Sequence, residues 1–124
     1  MKKFIVVTGG EGFVGSNLIK LLLDKTKYKI ISIDNYSSGI KKNHIKSKRI
    51  KYLNSSTKLI GKVLKEPKKI NAIFHFGEFS RIYQSFLKFN QCIESNSIGS
   101  HEVFNFCLKN KIKLNLFIQL HLLL

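Results

Sequence analysis

The stretch VVTGGEGFVGSNLI, residues 6–19, holds four glycines where a β-branched apolar run gives way to a helical pattern. Glycine weakens regular secondary structure, so its concentration here indicates either a positive φ or the close approach of another group to the backbone. Two explanations fit this junction. One is a turn that receives a nucleotide phosphate, and the other is a tight turn that binds no ligand.

Three of these glycines, Gly9, Gly12 and Gly15, have the spacing G-x-x-G-x-x-G between the predicted strand and helix. This position favours a dinucleotide-binding turn. The helix N-terminus would offer free N–H groups and a partial positive charge to a pyrophosphate. In such a turn Gly9 permits the tight bend, Gly12 lets phosphates reach the backbone, and Gly15 lets the helix pack closely on the strand. A turn without a ligand remains the alternative.

Asp34 ends the second predicted strand, YKIISID, and follows Gly15 by 19 residues. A carboxylate at this position accepts hydrogen bonds from both hydroxyls of an adenosine ribose and repels a 2′-phosphate. The alternative is an aspartate that only caps a loop. Together with the glycine turn, Asp34 predicts NAD as the cofactor, in preference to NADP.

Strands and helices alternate along the chain. Strands are predicted at 2–8, 28–34, 49–53, 70–76 and 111–120, and helices at 13–23, 56–67 (capped by Ser55 or Ser56) and 91–109. The expected inner faces are Phe13, Val14, Leu18, Leu21 and Leu22 in the first helix and Ile93, Val103, Phe104, Cys107 and Leu108 in the last. We therefore predict one α/β domain over residues 1–124, a doubly wound, Rossmann-like parallel sheet of order 3-2-1-4-5, without a separate substrate domain.

The formal charge of +15 raises the possibility of a polyanion partner. The excess comes from 20 Lys against 2 Arg, and 16 Ile and 10 Asn accompany it. These three abundant residue types share A/T-rich codons, so compositional bias is the favoured explanation and a polyanion site the alternative. The densest basic stretch, KKNHIKSKRIK at 41–51, has no aromatic residue for base stacking before Tyr52. Nucleic acid is therefore not an expected partner.

The cysteines and the chain ends indicate a cytoplasmic protein that uses no membrane. Cys92 and Cys107 fall in one predicted helix, about 22 Å apart, which is too far for a disulfide. The N-terminal run FIVV is too short for a signal peptide. The C-terminal LNLFIQLHLLL is far shorter than the roughly 20 residues that span a bilayer.

With these elements in place, TGGEGFVGSNL resembles the fingerprint of the extended short-chain dehydrogenases/reductases, a family that includes NAD-dependent nucleotide-sugar epimerases and dehydratases. IDNYSSG is similar to the loop after the second strand, above all in UDP-glucose 4-epimerases. IFHFGEFSR resembles the end of the fourth strand, and NSIGSHEVFNFC resembles the pattern N-x-x-G-T/S of the next helix. The resemblance covers residues 3–113.

The resemblance implies a cofactor site built from several segments. Gly9, Gly12, Phe13 and Val14 would surround the pyrophosphate; Asp34 and Asn35 would hold the ribose, with Ser37, Ser38 and Gly39 beside it; Phe76 and Gly77 would line the cofactor, which Asn96 would face. For Asn96 the alternative is an amide bonded to helix backbone. We interpret His75 as a hydrogen-bonded core histidine, since apolar residues flank it within a strand.

Several family features are missing. LNSSTKL, after the third strand, has no acid, and Gly77-Glu78 stands where the family usually has two alanines. None of the four tyrosines, Tyr28, Tyr36, Tyr52 and Tyr83, has Lys four residues later. In the family, such a Tyr-Lys pair removes the sugar hydroxyl proton.

After KIKL the chain continues as NLFIQLHLLL, without the family's serines, as a frameshift near the fifth strand would produce. We therefore expect a truncated NAD-binding part, inactive alone, with no catalytic residue and no metal ion. Nucleotide sugar would bind only to an intact relative. A non-catalytic nucleotide- or partner-binding module is the alternative, and a basic nucleic-acid binder is less favoured.

Overall fold

A computed structural model describes residues 1–10, 12–35, 44–76 and 98–116. Its strands are β1 (Phe4–Thr8), β2 (Lys29–Asp34), β3 (Ile50–Asn54), β4 (Ile70–His75) and β5 (Lys113–Leu116). Its α-helices are α1 (Phe13–Lys25), α2 (Ile60–Val63) and α3 (Ser100–Asn110), and 3₁₀ turns cover Thr57–Leu59 and Pro67–Lys69. In this part of the chain no helix is long and apolar enough to cross a membrane.

The five strands form one parallel sheet in the order β3-β2-β1-β4-β5. The predicted fold class and strand order are therefore confirmed. β1 lies at the centre, and its last residue, Thr8, is in register with Ile33 of β2 and His75 of β4. The three central strands thus end side by side, which is where ligands bind in open α/β sheets.

The core is divided between the two faces of the sheet, because alternate strand residues point in opposite directions. Ile5 and Val7 of β1 pack with Ile19 and Leu22 of α1 on one face. Val6 packs on the other face, in a cluster to which α2 and α3 contribute. Helices therefore cover both faces, as the doubly wound architecture requires.

The inner face predicted for α1 is wrong at three positions. Phe13, Val14 and Leu21 are exposed, Phe13 by 82%, whereas Ile19 and Leu22 are buried. At Gly15 the helix lies directly against the backbone of Gly9 and Gly10. At about 100° per residue, Phe13 lies on the opposite side of the helix from Gly15.

The inner face predicted for α3 is also partly wrong. Val103 and Cys107 are buried as expected, but the third buried apolar residue is Phe106, while Phe104 and Leu108 are exposed. Positions 103, 106 and 107 form one helical stripe, and this stripe faces the sheet. Ile93 and Cys92 lie outside the described residues. Cys107 is a free thiol, and burial raises its pKa to about 11.

The two remaining elements differ from the predictions in extent. The segment predicted as one helix at 56–67 is a 3₁₀ turn followed by the short α2, and the Ser56 side chain accepts a hydrogen bond from the Lys58 N–H at 3.3 Å. Ser56 is therefore the cap. Of the predicted strand 111–120, residues 113–116 are extended, and residues 117–120 lie outside the described part.

Candidate functional site at the carboxyl edge of the sheet

The turn after β1 is closed by backbone hydrogen bonds and fixed to the neighbouring strand. Gly9 has a φ of 73°, a conformation that side chains other than glycine rarely adopt. Its N–H donates to the Ile33 carbonyl of β2 at 2.7 Å, and its own carbonyl accepts from the Gly12 N–H at 3.1 Å. The turn therefore sits directly beside the end of β2.

Gly12 is the N-cap residue of α1, and no side chain caps this helix. The first turn of the helix contains no acidic residue. Helix geometry leaves the N–H groups of Phe13, Val14 and Gly15 without acceptors inside the helix. Among the described residues, a Cβ atom on Gly12 would meet the Gly9 carbonyl oxygen alone, at 3.3 Å. The site thus combines uncapped donors, a helix N-terminus and bare backbone, the features that bind an anion.

Gly15 is needed for close packing, but its partner differs from the expected one. A Cβ atom there would collide with the Gly9 carbonyl oxygen and lie 2.9 Å from the Gly9 carbonyl carbon. At Gly15, helix α1 therefore packs on the backbone of the glycine turn, while its later residues Ile19 and Leu22 pack on β1. This contact holds the start of α1 against the turn.

Gly10 is a constrained position that the motif spacing did not identify. Its Cβ atom would lie 2.8 Å from the Ser32 Cβ and 2.9 Å from the Ile19 Cδ1. Gly10 thus fits between β2 and α1, where any side chain would force them apart. The doublet Gly9-Gly10 is the sequence signal that could have identified this position, because the bend itself requires only one glycine.

Asp34 lies next to this turn, as the sequence predicted. It is the last residue of β2, it is buried, and it directly follows Ile33, whose carbonyl binds Gly9. The Asp34 carbonyl accepts from the Ser55 N–H at 3.1 Å, which fixes the strand end against the segment after β3. Asn35 follows and is exposed. Asp34 and the glycine turn therefore lie side by side at the carboxyl edge of the sheet.

The end of β4 is fixed to the same edge. The Phe76 N–H donates to the Thr8 carbonyl at 3.1 Å and to the Thr8 Oγ1 at 2.9 Å. Phe76, the residue after β4, is thus held against the end of β1. Ser37, Ser38, Gly39, Gly77 and Asn96 lie outside the described residues, and their cofactor contacts stay predictions.

His75 is fully buried behind this edge and links three elements. Its Nδ1 lies 2.7 Å from the Thr8 Oγ1 of β1, and its Nε2 lies 2.8 Å from the Ser100 Oγ of α3. Burial lowers the pKa of His75 from 6.5 to about 4, so the ring is neutral at pH 7. A neutral imidazole donates from one nitrogen and accepts at the other, and hydroxyl partners suit either role. The geometry is that of a hydrogen-bonded core histidine.

A parallel doubly wound sheet with a glycine turn between β1 and α1, and an acid at the end of β2, defines the class of Rossmann-like dinucleotide-binding domains. A sequence model of the NAD dependent epimerase/dehydratase family matches residues 5–121. The chain belongs to this family.

Solved structures of similar fold include sugar-nucleotide epimerases. The UDP-N-acetylglucosamine 4-epimerase from Methanobrevibacter ruminantium M1, in complex with UDP-N-acetylmuramic acid, is 27% identical with a TM-score of 0.74 and is matched over 92% of this chain and 37% of its own. The UDP-Glc/GlcNAc 4-epimerase from Campylobacter jejuni is 25% identical with a TM-score of 0.76, over 92% and 36%.

Bordetella bronchiseptica WbmF, in complex with NAD+, is 23% identical with a TM-score of 0.79, over 92% of this chain and 34% of its own. At that identity the likeness concerns the fold. The chain spans about a third of the length of these relatives.

Proposed function

We propose that the chain binds NAD and is the cofactor-binding part of a nucleotide-sugar epimerase or dehydratase, most like UDP-glucose 4-epimerase. The observation that carries this proposal is the uncapped start of α1 at Gly12, with Asp34 at the end of the adjacent strand. The family membership and the NAD complex of WbmF support the same choice of cofactor.

The residues at this edge fit the two ends of the adenosine diphosphate part of NAD. The pyrophosphate would receive hydrogen bonds from the N–H groups of Phe13, Val14 and Gly15, which have no acceptors within the helix. Gly12 leaves room for the phosphates, because in the described part of the chain a Cβ atom added there would meet one atom, the Gly9 carbonyl oxygen of the turn itself. Asp34, with Asn35 after it, would accept the ribose hydroxyls. When bound, NAD supplies a hydride acceptor.

These 124 residues contain no Tyr followed four positions later by Lys. A general base of that kind removes the hydroxyl proton while the hydride leaves. His75 does not substitute for it, because both ring nitrogens bond to Thr8 and Ser100 inside the core. We therefore propose that the chain binds the cofactor but does not interconvert sugars. The alternative function, a non-catalytic nucleotide-binding module, implies the same lack of activity.

The choice between NAD and NADP tests the role of Asp34. NAD at a hundred times its dissociation constant should stabilise the chain by about 2.7 kcal/mol, whereas NADP should stabilise it less because the carboxylate repels the 2′-phosphate. Asp34→Ala should reduce this preference. Asp24→Ala, an exposed acid near the far end of α1, is the control and should keep it. Equal thermal shifts with both cofactors, or none with either, would refute the proposal.

Substitution of Gly12 tests the phosphate contact separately. Gly12→Val should abolish the thermal shift with NAD while the unliganded chain stays folded, because a Cβ atom there meets the Gly9 carbonyl oxygen at 3.3 Å, a contact that a movement of a few tenths of an ångström relieves. Gly61→Val is the control, since Gly61 is exposed on α2 and a Cβ atom there meets Phe106 at an ordinary 3.9 Å. If Gly12→Val binds NAD like the parent chain, the phosphates lie elsewhere.

A further inference from the structure

The edge of the sheet opposite the glycine turn carries basic residues at the start of every strand. We call this set the basic edge: Lys2 and Lys3 at β1, Lys27 and Lys29 at β2, Lys48 and Arg49 at β3, Lys68 and Lys69 at β4, and Lys111 and Lys113 at β5. In the sequence these residues are scattered over more than a hundred positions. Because all five strands are parallel, their starts meet at one edge.

Backbone hydrogen bonds show that these residues stand side by side. The Lys3 N–H donates to the Lys69 carbonyl at 2.7 Å, and the Lys29 N–H donates to the Lys3 carbonyl at 2.9 Å. On the far side of β2, the Ile30 N–H donates to the Arg49 carbonyl at 2.7 Å. At about 4.8 Å per strand, five strands place these charges along a strip of roughly 19 Å.

Most lysines of the basic edge are available to a partner, although the Lys2 ammonium donates to the Ile70 carbonyl at 3.3 Å. All of them except Lys69 are exposed, and Lys69 is half-buried. Among the described residues two acids lie close in sequence to this edge, and each forms an ion pair with a neighbouring lysine: Asp24 with Lys25 and Glu66 with Lys69. Two acids cannot neutralise ten basic residues, so the strip is strongly positive.

The opposite edge has a different composition. The described residues that directly follow β1 to β4 are glycine, asparagine, serine and phenylalanine, and none is basic (Gly9, Gly10, Asn35, Ser55, Ser56 and Phe76). Biased codon usage explains why lysine is abundant in this chain, and the parallel sheet brings nine of the 20 lysines together along this edge. The result is a continuous basic surface that can bind a partner.

We propose that the basic edge binds the phosphate backbone of a nucleic acid without recognising its bases. Lysine ammonium groups act as point charges, whereas base recognition and two-pronged phosphate contacts favour arginine. Arg49 is committed to the fold, since its guanidinium donates to the carbonyls of Leu23, Thr26 and Tyr28. Because each phosphate of one strand rises about 3.4 Å along the duplex axis, the length of the strip corresponds to the rise of roughly five nucleotides.

A lipid surface fits this edge less well. Peripheral membrane binding usually adds apolar side chains that enter the headgroup region. Of the large apolar residues exposed in the described part, Met1 precedes Lys2, and Leu108 lies one helical turn before Lys111. Ten basic residues against these two apolar side chains make the edge mainly charged, which suits a nucleic-acid backbone.

The test is fluorescence anisotropy of the 124-residue chain with a fluorescein-labelled 20-base-pair DNA duplex, between 50 and 200 mM salt. The triple variant Lys3→Gln, Lys27→Gln, Lys68→Gln should bind at least tenfold more weakly at 100 mM salt. It should also reduce the slope of log K against log salt by about 3, since each lysine contributes about 0.9. The matched control is Lys20→Gln, Lys58→Gln, Lys62→Gln, which removes three exposed lysines away from the edge. It should change the slope by less than 1.

Circular dichroism should show the same secondary structure for all three proteins. Equal loss of binding in both triple variants, or no binding by the parent chain, would overturn the proposal. Tighter binding to phosphatidylserine vesicles than to DNA at equal phosphate concentration would assign the edge to lipid instead. Saturating NAD should leave DNA binding unchanged, and displacement of DNA by NAD would place the DNA at the carboxyl edge and refute the assignment.

Discussion

Lowering the pH from 7.5 to 5 should destabilise the fold through one side chain, His75. Its pKa is about 4 in the folded chain because the ring is buried, against 6.5 for an exposed imidazole. Between pH 6.5 and 4 the unfolded chain therefore binds a proton at this imidazole, whereas the folded chain does not. The stability is fully present above pH 6.5 and is lost as the pH falls toward 4. Proton linkage gives a loss of about 2 kcal/mol between pH 7.5 and 5, a large part of the ~5–15 kcal/mol stability typical of a domain.

Urea denaturation followed by circular dichroism at pH 7.5, 6.5, 5.5 and 5 measures this loss. His75→Gln should be less stable at pH 7.5 but should lose most of the pH dependence in this window. His101→Gln is the matched control, because His101 is exposed and its ring pairs with Asn105 on the surface of α3. A His75→Gln variant with the parent's pH dependence, or a His101→Gln variant without it, would refute the linkage to His75.

Three further outcomes are expected. Gly15→Ala should lower the free energy of unfolding by at least about 2 kcal/mol, because its methyl group collides with the Gly9 carbonyl. The control Gly61→Ala should not lower this free energy, and equal urea midpoints for the two variants would contradict the packing at Gly15. Arg49→Lys should cost about 1–2 kcal/mol, since a single ammonium cannot replace the guanidinium bonds to the carbonyls near the end of α1; an unchanged unfolding curve would show those bonds to be unimportant. Purified chain incubated with NAD and UDP-glucose should form no UDP-galactose, for want of the Tyr-Lys pair, and turnover that disappears in Asp34→Ala would contradict this.

The sheet was predictable because its signals are local. Runs such as FIVVT and KIISID are β-branched and apolar on both faces, which is typical of buried parallel strands, and the alternation with helices then fixes the topology. The helix faces were less predictable. α3 carries apolar residues around more than half of its circumference, so its periodicity allowed Phe104 and Leu108 as well as Phe106. Only the position of the neighbouring elements decides which face is buried.

Part of the candidate site was likewise predictable from local sequence, and part of it was not. The glycine turn and Asp34 lie next to each other because the motif spacing implies two adjacent strands that end together. The constraint on Gly10 depends on Ser32, which approaches it from another strand. The bonds of His75 to Thr8 and Ser100 join residues 67 and 25 positions apart, and the basic edge joins residues such as Lys3 and Lys69. No pattern within a short stretch of sequence predicts these contacts, because they depend on the register between strands in the folded sheet.

The central position of β1 has a consequence for the order in which the chain can fold during synthesis. Phe4 pairs with Lys29 on one side and with Ile70 on the other, so one edge of β1 has no partner until β4 has been made. At about 5–20 residues per second, the roughly 65 residues between these partners take about 3 to 13 s to appear. For that time the ribosome-bound chain presents the apolar FIVVT strand with an unpaired backbone edge, the form of nascent chain that chaperones protect and that otherwise associates with its neighbours.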